Sequence, residues 1–180
     1  MSGRVSLRPM RDHDDDYERL ARWLCHPDVL SWVVGRDQPH SIERVRDDYG
    51  VASLAREHTW PSFIEVDGRA VGYLQVVWVL PYASDYSLDG DARHAWAFDL
   101  WIGDPAWWGR GVGTMACQLA VDQLLARGAR RIVIDPRVVN ERAVHVYEKV
   151  GFRKVKMLPA YELHEGERWD NWLMEYVPPA

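Results

Sequence analysis

Apolar residues recur along this chain at two spacings, every three to four positions in some stretches and every second position or continuously in others. The switches between the two mark its elements. Val5-Ser-Leu-Arg-Pro-Met10 reads as a first edge strand, with Pro9 near the end where a missing N–H is tolerated. Behind the carboxylates of Asp12 to Asp16, which can cap a helix, Tyr17, Leu20, Ala21 and Leu24 recur at helical spacing and predict a helix over about residues 14–25. His26-Pro27-Asp28 ends it, and residues 28–34 form a short second helical piece. Ser41 caps a third helix that runs to about Arg56.

The spacing then changes. Trp60 to Val66 and Arg69 to Leu80 are β-rich runs joined by Asp67-Gly68, a strong hairpin signal. Bulky residues at nearly every position of the second run predict that both of its faces are covered. Residues 81–94 read as a polar loop carrying Asp85, Asp89 and Asp91; these acids read as a solvated loop or as lining for a bound acceptor. A strand over Phe98–Ile102 stops at Gly103-Asp104-Pro105. A helix follows whose face is traced by Val112, Met115, Ala116, Leu119, Ala120 and Leu124 and which ends at Arg127-Gly128. Ile132-Val-Ile134 is a short buried strand, Asn140 caps a helix stopped at Gly151, and Lys154–Met157 and Trp169–Val177 are two last strands around Glu165-Gly166. The result is a mixed α+β sheet, expected as a single domain over residues 1–180, with a right-handed strand-helix-strand crossover that leaves central strands splaying near the glycine turn.

That turn is Trp107-Trp-Gly-Arg-Gly-Val-Gly-Thr114. Glycines let the backbone come close to a ligand and turn its N–H groups one way, and the helix start adds a partial positive charge, so Gly109 to Thr114 with Arg110 reads as an anion cradle. Without a ligand it would be an ordinary helix-entry loop. A dinucleotide-binding unit would place the glycines after the first strand, whereas here several strands precede them. A nucleotide-phosphate loop would end in Gly-Lys-Ser/Thr, which is absent.

Read whole, the glycine turn with its helix, then Arg130-Arg-Ile-Val-Ile-Asp-Pro136, then Asn140-Glu-Arg-Ala-Val-His-Val-Tyr-Glu-Lys-Val-Gly-Phe152, resembles the GCN5-related N-acetyltransferases (GNAT superfamily). The resemblance implies the GNAT fold, a central twisted sheet of about seven strands flanked by helices. It implies that Gly109, Arg110, Gly111, Val112, Gly113 and Thr114 hold the diphosphate of acetyl-coenzyme A. It further implies that amides around Trp101 and Ile102 face the thioester carbonyl, that Asn140 touches the pantetheine as well as capping its helix, and that Tyr147 is the general acid for the leaving sulfur. Tyr147 also lies on an apolar helix face, where it would serve as core. The family's Gln or Arg three residues before Gly111 is replaced here by Trp108.

Asp99 is a carboxylate inside an otherwise apolar strand, so it must face a solvent-filled cleft or a partner. In this and other details the chain is similar to the aminoglycoside 6'-N-acetyltransferases of the resistance type. The shared features are Leu7-Arg-Pro-Met, the Trp32 region, Asp67-Gly-Arg-Ala-Val-Gly-Tyr73, the strand aspartate, and Asp135-Pro before Asn140. The resemblance implies that Asp99 binds the substrate ammonium and acts as the base, with Trp32 and Asp135 also in the acceptor site. Read by themselves, Asp99 has the alternative of a paired structural acid, and Asp135 is as well explained as the start of a turn. Rival acceptors within the enzyme class are protein N-termini, including those of ribosomal proteins, and the hydroxylysine of siderophore assembly. The rival outside it is an acyl-coenzyme A binding module.

Composition narrows the remainder. Hydrophobic content of 47% with 27% charged residues is that of a folded chain, and no run reaches the roughly 20 apolar residues of a membrane span. The start, Met1-Ser-Gly-Arg-Val-Ser-Leu-Arg, lacks the apolar segment of a signal peptide, so a cytoplasmic location is expected. A net charge of −5 argues against nucleic acid as partner and leaves a small-molecule amine, acting on a monomer or homodimer. Cys25 and Cys117 read as separate reduced thiols, and the seven His residues show no metal spacing, so no metal is expected.

Overall fold

A computed structural model of the chain describes residues 3–176 apart from 85, 87 and 89. Its strands are β1 (Val5–Pro9), β2 (Thr59–Val66), β3 (Arg69–Trp78), β4 (Ala95–Ile102), β5 (Arg131–Ile134), β6 (Phe152–His164) and β7 (Glu167–Tyr176). Its helices are α1 (Asp14–Trp23), α2 (Pro27–Leu30), α3 (Ile42–Tyr49), α4 (Val51–Arg56), α5 (Val112–Ala126) and α6 (Glu141–Val150). The strands form one mixed seven-stranded sheet in the order β1-β2-β3-β4-β5-β7-β6, flanked by helices, as the sequence leads one to expect. β1 pairs antiparallel with β2, β4 parallel with β5, and β7 antiparallel with both β5 and β6.

Several boundaries differ from expectation, each for a local reason. The helix expected from Ser41 to about Arg56 breaks into α3 and α4 at Gly50, whose ψ of 124° is not helical. The cap of α1 is His13, whose ring nitrogen accepts from the Asp15 amide, while the Asp12 carboxylate accepts from the Tyr17 hydroxyl. β4 begins at Ala95 rather than Phe98, because alanines with weak strand preference pack there against buried neighbours. β6 is far longer than residues 154–157; as the last strand of the sheet it exposes Arg153, Lys154 and Val155 in succession, which masks its alternation. Asp85, Asp89 and Val177 lie outside the described residues, and Asp91 is occupied by Arg93 at 2.9 Å.

The chain divides into two compact units, one built from residues up to Gln75 together with Leu100–Ala116, the other from Val76–Asp99 together with Cys117 onward. In the first, Tyr17, Leu20 and Trp23 of α1 and Val45 of α3 cover Phe63 and Tyr73, with Trp23 meeting Phe63 edge-on at 5.6 Å. In the second, Val77, Val79, Ala95, Ala97, Val133, Leu158 and Leu173 form the core. Each of the valines, leucines and Phe63 removed from water contributes about 1.5–3 kcal/mol, the alanines less.

The first unit also buries one charge. Asp16, 1% exposed, accepts from Arg8 at 2.9 and 3.0 Å and from Arg11 at 2.9 Å, and the Arg8 guanidinium reaches on to Glu65 at 2.6 Å. Burial alone would raise the Asp16 carboxyl; the hydrogen bonds from Arg11 and Arg8 outweigh it and hold the group well below the usual carboxylate range. A depressed value contributes stability that is present above the unfolded value and is lost as pH falls through the folded one. Asp16→Asn is therefore expected to cost about 3 kcal/mol in urea unfolding at pH 7, leaving two arginines without their partner. The deficit relative to wild type should shrink as the pH is lowered below about 4.

Candidate active site

In the first unit the end of β4 leads through a 3-10 turn at Pro105–Trp107 into the glycine turn and α5. Gly109 (φ 71°) and Gly111 (φ 78°) are left-handed, a conformation that favours residues without a Cβ. A Cβ at Gly109, Gly111 or Gly113 would stand in open space with no atom within 4 Å, so the backbone itself is the surface a ligand meets. Met115 donates to the Gly111 carbonyl and closes the first turn of α5, while the earlier amides of Val112, Gly113 and Thr114 have no partner inside the helix. Val112 is buried and anchors the turn from below. The Arg110 guanidinium lies 5.5 Å over the Trp107 ring, which holds the cation at the turn. Trp108 donates through its indole N–H to the Ile102 carbonyl at 2.8 Å and so straps the turn to the end of β4. These amides and this cation fit a diphosphate.

Trp101 and Ile102 stand at the end of the same strand, half-buried. Trp101 packs against Tyr73 at 4.4 Å between ring centroids, and its indole N–H is buried with no acceptor. Trp32 follows α2 in the same unit and is 42% exposed.

The acids lie in the second unit, and sheet register explains how they come together. β4 and β5 pair in parallel through Ala95↔Arg131, Trp96↔Ile132 and Ala97↔Val133. Asp99 lies two residues beyond Ala97 and Asp135 two beyond Val133, so a continued register would set the two carboxylates directly opposite at about 4.8 Å. Pairing stops before that point, and the strands part as the sequence leads one to expect. The Asp135 carboxyl is pushed up to about 7, first by burial, then by the charges of Asp99 and Glu162. Among the described residues no cation pairs with it.

Tyr147 of α6 is 6% exposed and shares this electrostatic neighbourhood. Burial raises its hydroxyl well above the usual value, and Cys117, Asp99 and Asp135 add to the effect, so the phenol keeps its proton. Its ring meets Phe152 edge-on at 6.0 Å, and its hydroxyl makes no hydrogen bond among the described residues. Asn140 caps α6, its Oδ1 accepting from the Ala143 amide at 3.2 Å. Burial pushes the Cys117 thiol up to about 12, which keeps it inert.

Sequence reasoning missed the groups around Asp135. Glu162 faces it from β6; Arg137, 6% exposed, approaches Glu162 at 3.6 Å; and Asn171 of β7 donates to both the Asp135 carbonyl and Glu162. Asn171 carries the signal that singled out Asp99, a polar residue opening the apolar run Trp172-Leu-Met174. Glu162 carries none, because its stretch reads as solvated surface. Among the described residues no cluster of three or more His, Cys, Asp or Glu is placed to hold a metal ion, and no helix is long and apolar enough to cross a membrane.

Comparison with known proteins agrees with this geometry. The family model of the acetyltransferase (GNAT) domain matches residues 12–159. Aminoglycoside N(6')-acetyltransferase type 1 of Klebsiella pneumoniae is 26% identical over 151 residues, 83% of this chain and 74% of that protein. The fold is similar to a crystal structure of an aminoglycoside acetyltransferase in complex with coenzyme A and kanamycin, with a TM-score of 0.82, 23% identity, and 97% and 95% of the two chains covered. It is also similar to spermidine N-acetyltransferase from Vibrio cholerae in complex with coenzyme A and spermine, with a TM-score of 0.75, 17% identity, and 95% and 94% covered.

A raised carboxyl has a consequence for stability. The neutral form is the one the fold favours, so the contribution of Asp135 is fully present below its unfolded value, about 4, and is lost as pH rises through about 7. Asp135→Asn is expected to raise the melting midpoint at pH 8, by about 2–4 °C for each kcal/mol of repulsion relieved, and to leave it unchanged at pH 4. Differential scanning calorimetry at the two pH values checks both halves of the expectation.

Proposed function

The chain belongs to the GNAT acetyltransferase family and is an N-acetyltransferase, and from that premise we propose that its acceptor is a polycationic small-molecule amine, an aminoglycoside modified at its 6'-amino group. The observation that carries the acceptor class is the Asp135 carboxyl, lacking a cation among the described residues while Asp99 and Glu162 surround it with negative charge. Such a group binds an ammonium more tightly than a paired acid would, because the cation removes a repulsion as well as adding an attraction. A 26% identical relative that acetylates aminoglycosides by name supports the same choice.

Acetyl-coenzyme A supplies the acetyl group as a thioester. In this reading the amides of Val112, Gly113 and Thr114, with Gly109, Gly111 and Arg110, bind its diphosphate, and the partial positive charge of the α5 start adds to the attraction. Amides of Trp101 and Ile102 orient the carbonyl, and Asn140 orients the pantetheine arm. Asp99 takes a proton from the acceptor ammonium, and Asp135 with Trp32 holds the remainder of the acceptor. The Tyr147 hydroxyl, kept protonated by burial, holds the proton that the leaving sulfur needs. Both substrates are bound together, with transfer direct from one to the other. The reading makes residues 1–180 one catalytic domain acting in the cytoplasm.

Thiol release from acetyl-coenzyme A, followed with a chromogenic thiol reagent in the presence of kanamycin or ribostamycin, tests the proposal. Wild type is expected to release thiol with both, and Asp99→Asn to lower kcat by about 10²–10⁴-fold. Coenzyme A binding by calorimetry without thiol release for either amine would contradict the acceptor assignment. An Asp99→Asn variant as fast as wild type would remove Asp99 as the base.

A further inference from the structure

The buried polar residue on β7 stands out against its surroundings. Asn171 is 1% exposed and shares its strand face with Leu173, also 1% exposed, in a position that an aliphatic side chain would fill without polar cost. Its Nδ2 donates twice, to the Asp135 main-chain carbonyl at 2.6 Å and to Glu162 Oε2 at 3.2 Å. Its Oδ1 is buried with no hydrogen-bond partner. A buried acceptor left unsatisfied costs stability that folding does not recover, so stability alone does not account for an asparagine here.

Both groups that Asn171 binds belong to the acid site, and the sheet ladder is irregular beside each of them. β5 ends at Ile134, where its register with β7 is Ile134↔Met174; beyond it the Pro136 carbonyl accepts from the Trp172 amide at 2.9 Å and Arg137 bridges to Asn171, so the main chain on either side of Asp135 follows β7 while the Asp135 carbonyl itself takes the Asn171 side chain. On the other side, β6 runs in register at Leu158↔Asn171 and resumes only at Glu162↔Trp169, with a bulge of intervening residues held by Asp170, whose carboxylate accepts from the Ala160 amide at 2.7 Å. Such a bulge re-aims the side chain that follows it, here Glu162. The second oxygen of Glu162 faces Arg137 at 3.6 Å and His164 at 3.9 Å, so the carboxylate is gripped by a cation on one side and by the Asn171 amide on the other.

We propose that Asn171 is a positioning residue of the acceptor site, its amide tying the Asp135 main chain to the Glu162 carboxylate and so fixing where the Asp135 carboxyl stands when the amine binds. The inference rests on the acceptor reading given under Proposed function. Asn171 touches neither substrate in this account; it acts through Asp135 and Glu162. A charge-assisted hydrogen bond is about twice as strong as a neutral one, so the link to Glu162 is the stronger constraint of the two in kind, and the short bond to the Asp135 carbonyl sets direction.

Asn171→Leu keeps the branched shape, with somewhat more volume, and removes both donations together with the orphaned acceptor. Its melting midpoint is expected to fall only slightly, the removed orphan offsetting part of the two lost donations, and its coenzyme A binding to be unchanged, while KM for kanamycin rises about tenfold and kcat changes less. Asn171→Ser, smaller and still polar, is the second variant should the leucine fail to fold, with a rise in KM in the same direction. A folded variant with KM unchanged overturns the proposal, as does a KM change that follows only a loss of melting temperature. Wild type that neither binds nor acetylates kanamycin sinks the acceptor reading and this proposal together; wild type active on kanamycin with both variants unaltered sinks this proposal alone.

Discussion

Two carboxylates on neighbouring parallel strands set the character of this protein. The register Ala97↔Val133, carried two residues further, would place Asp99 against Asp135 at the distance of a paired strand. Two like charges that close, half out of water, are costly, and the fold meets the cost in two ways. Pairing ends before the acids are reached, and one of the two holds its proton to about neutral pH. An arrangement of this kind lowers stability for its own sake, and its natural complement is a cation that arrives from solution.

Opposite chemistry is assembled in the other unit by backbone amides and one cation. At Gly109, Gly111 and Gly113 the turn bares its backbone, its helix start presents amides, and Arg110 is held in place over Trp107. In the proposed reading the first unit offers a cradle for an anion and the second a carboxyl for a cation. The family relationship gives the reaction; the cationic acceptor is the proposal that the Asp135 carboxyl supports.

The motifs that lie contiguous in sequence were legible there. The glycine turn, the α6 cap at Asn140 and its glycine stop at Gly151, and the lone acid in β4 all announce themselves by residue type and spacing, and the structure keeps each where the sequence leads one to expect. Elements whose identity depends on partners were not. The long β6 hides behind lysines and arginines because it is the last strand of the sheet, and Gly50 breaks a helix that its flanking apolar pattern would have continued. Glu162 and Asn171 meet Asp135 from separate strands, with Arg137 on the far side of Glu162, through a bulge that no local pattern encodes, so only the fold reveals them as neighbours. The parting of β4 and β5 was foreseeable from topology; that it begins just before a pair of acids required the register.

The account stands on the state of one carboxyl, and carbon-detected NMR titration of aspartate side chains observes it directly. In the free protein one aspartate should titrate near pH 7, the signal should be missing in Asp135→Asn, and bound kanamycin should move its midpoint down toward the ordinary value of about 4. Aspartates that all titrate below about pH 5, with kanamycin and without, would contradict the claim that these opposed acids are poised for a cation.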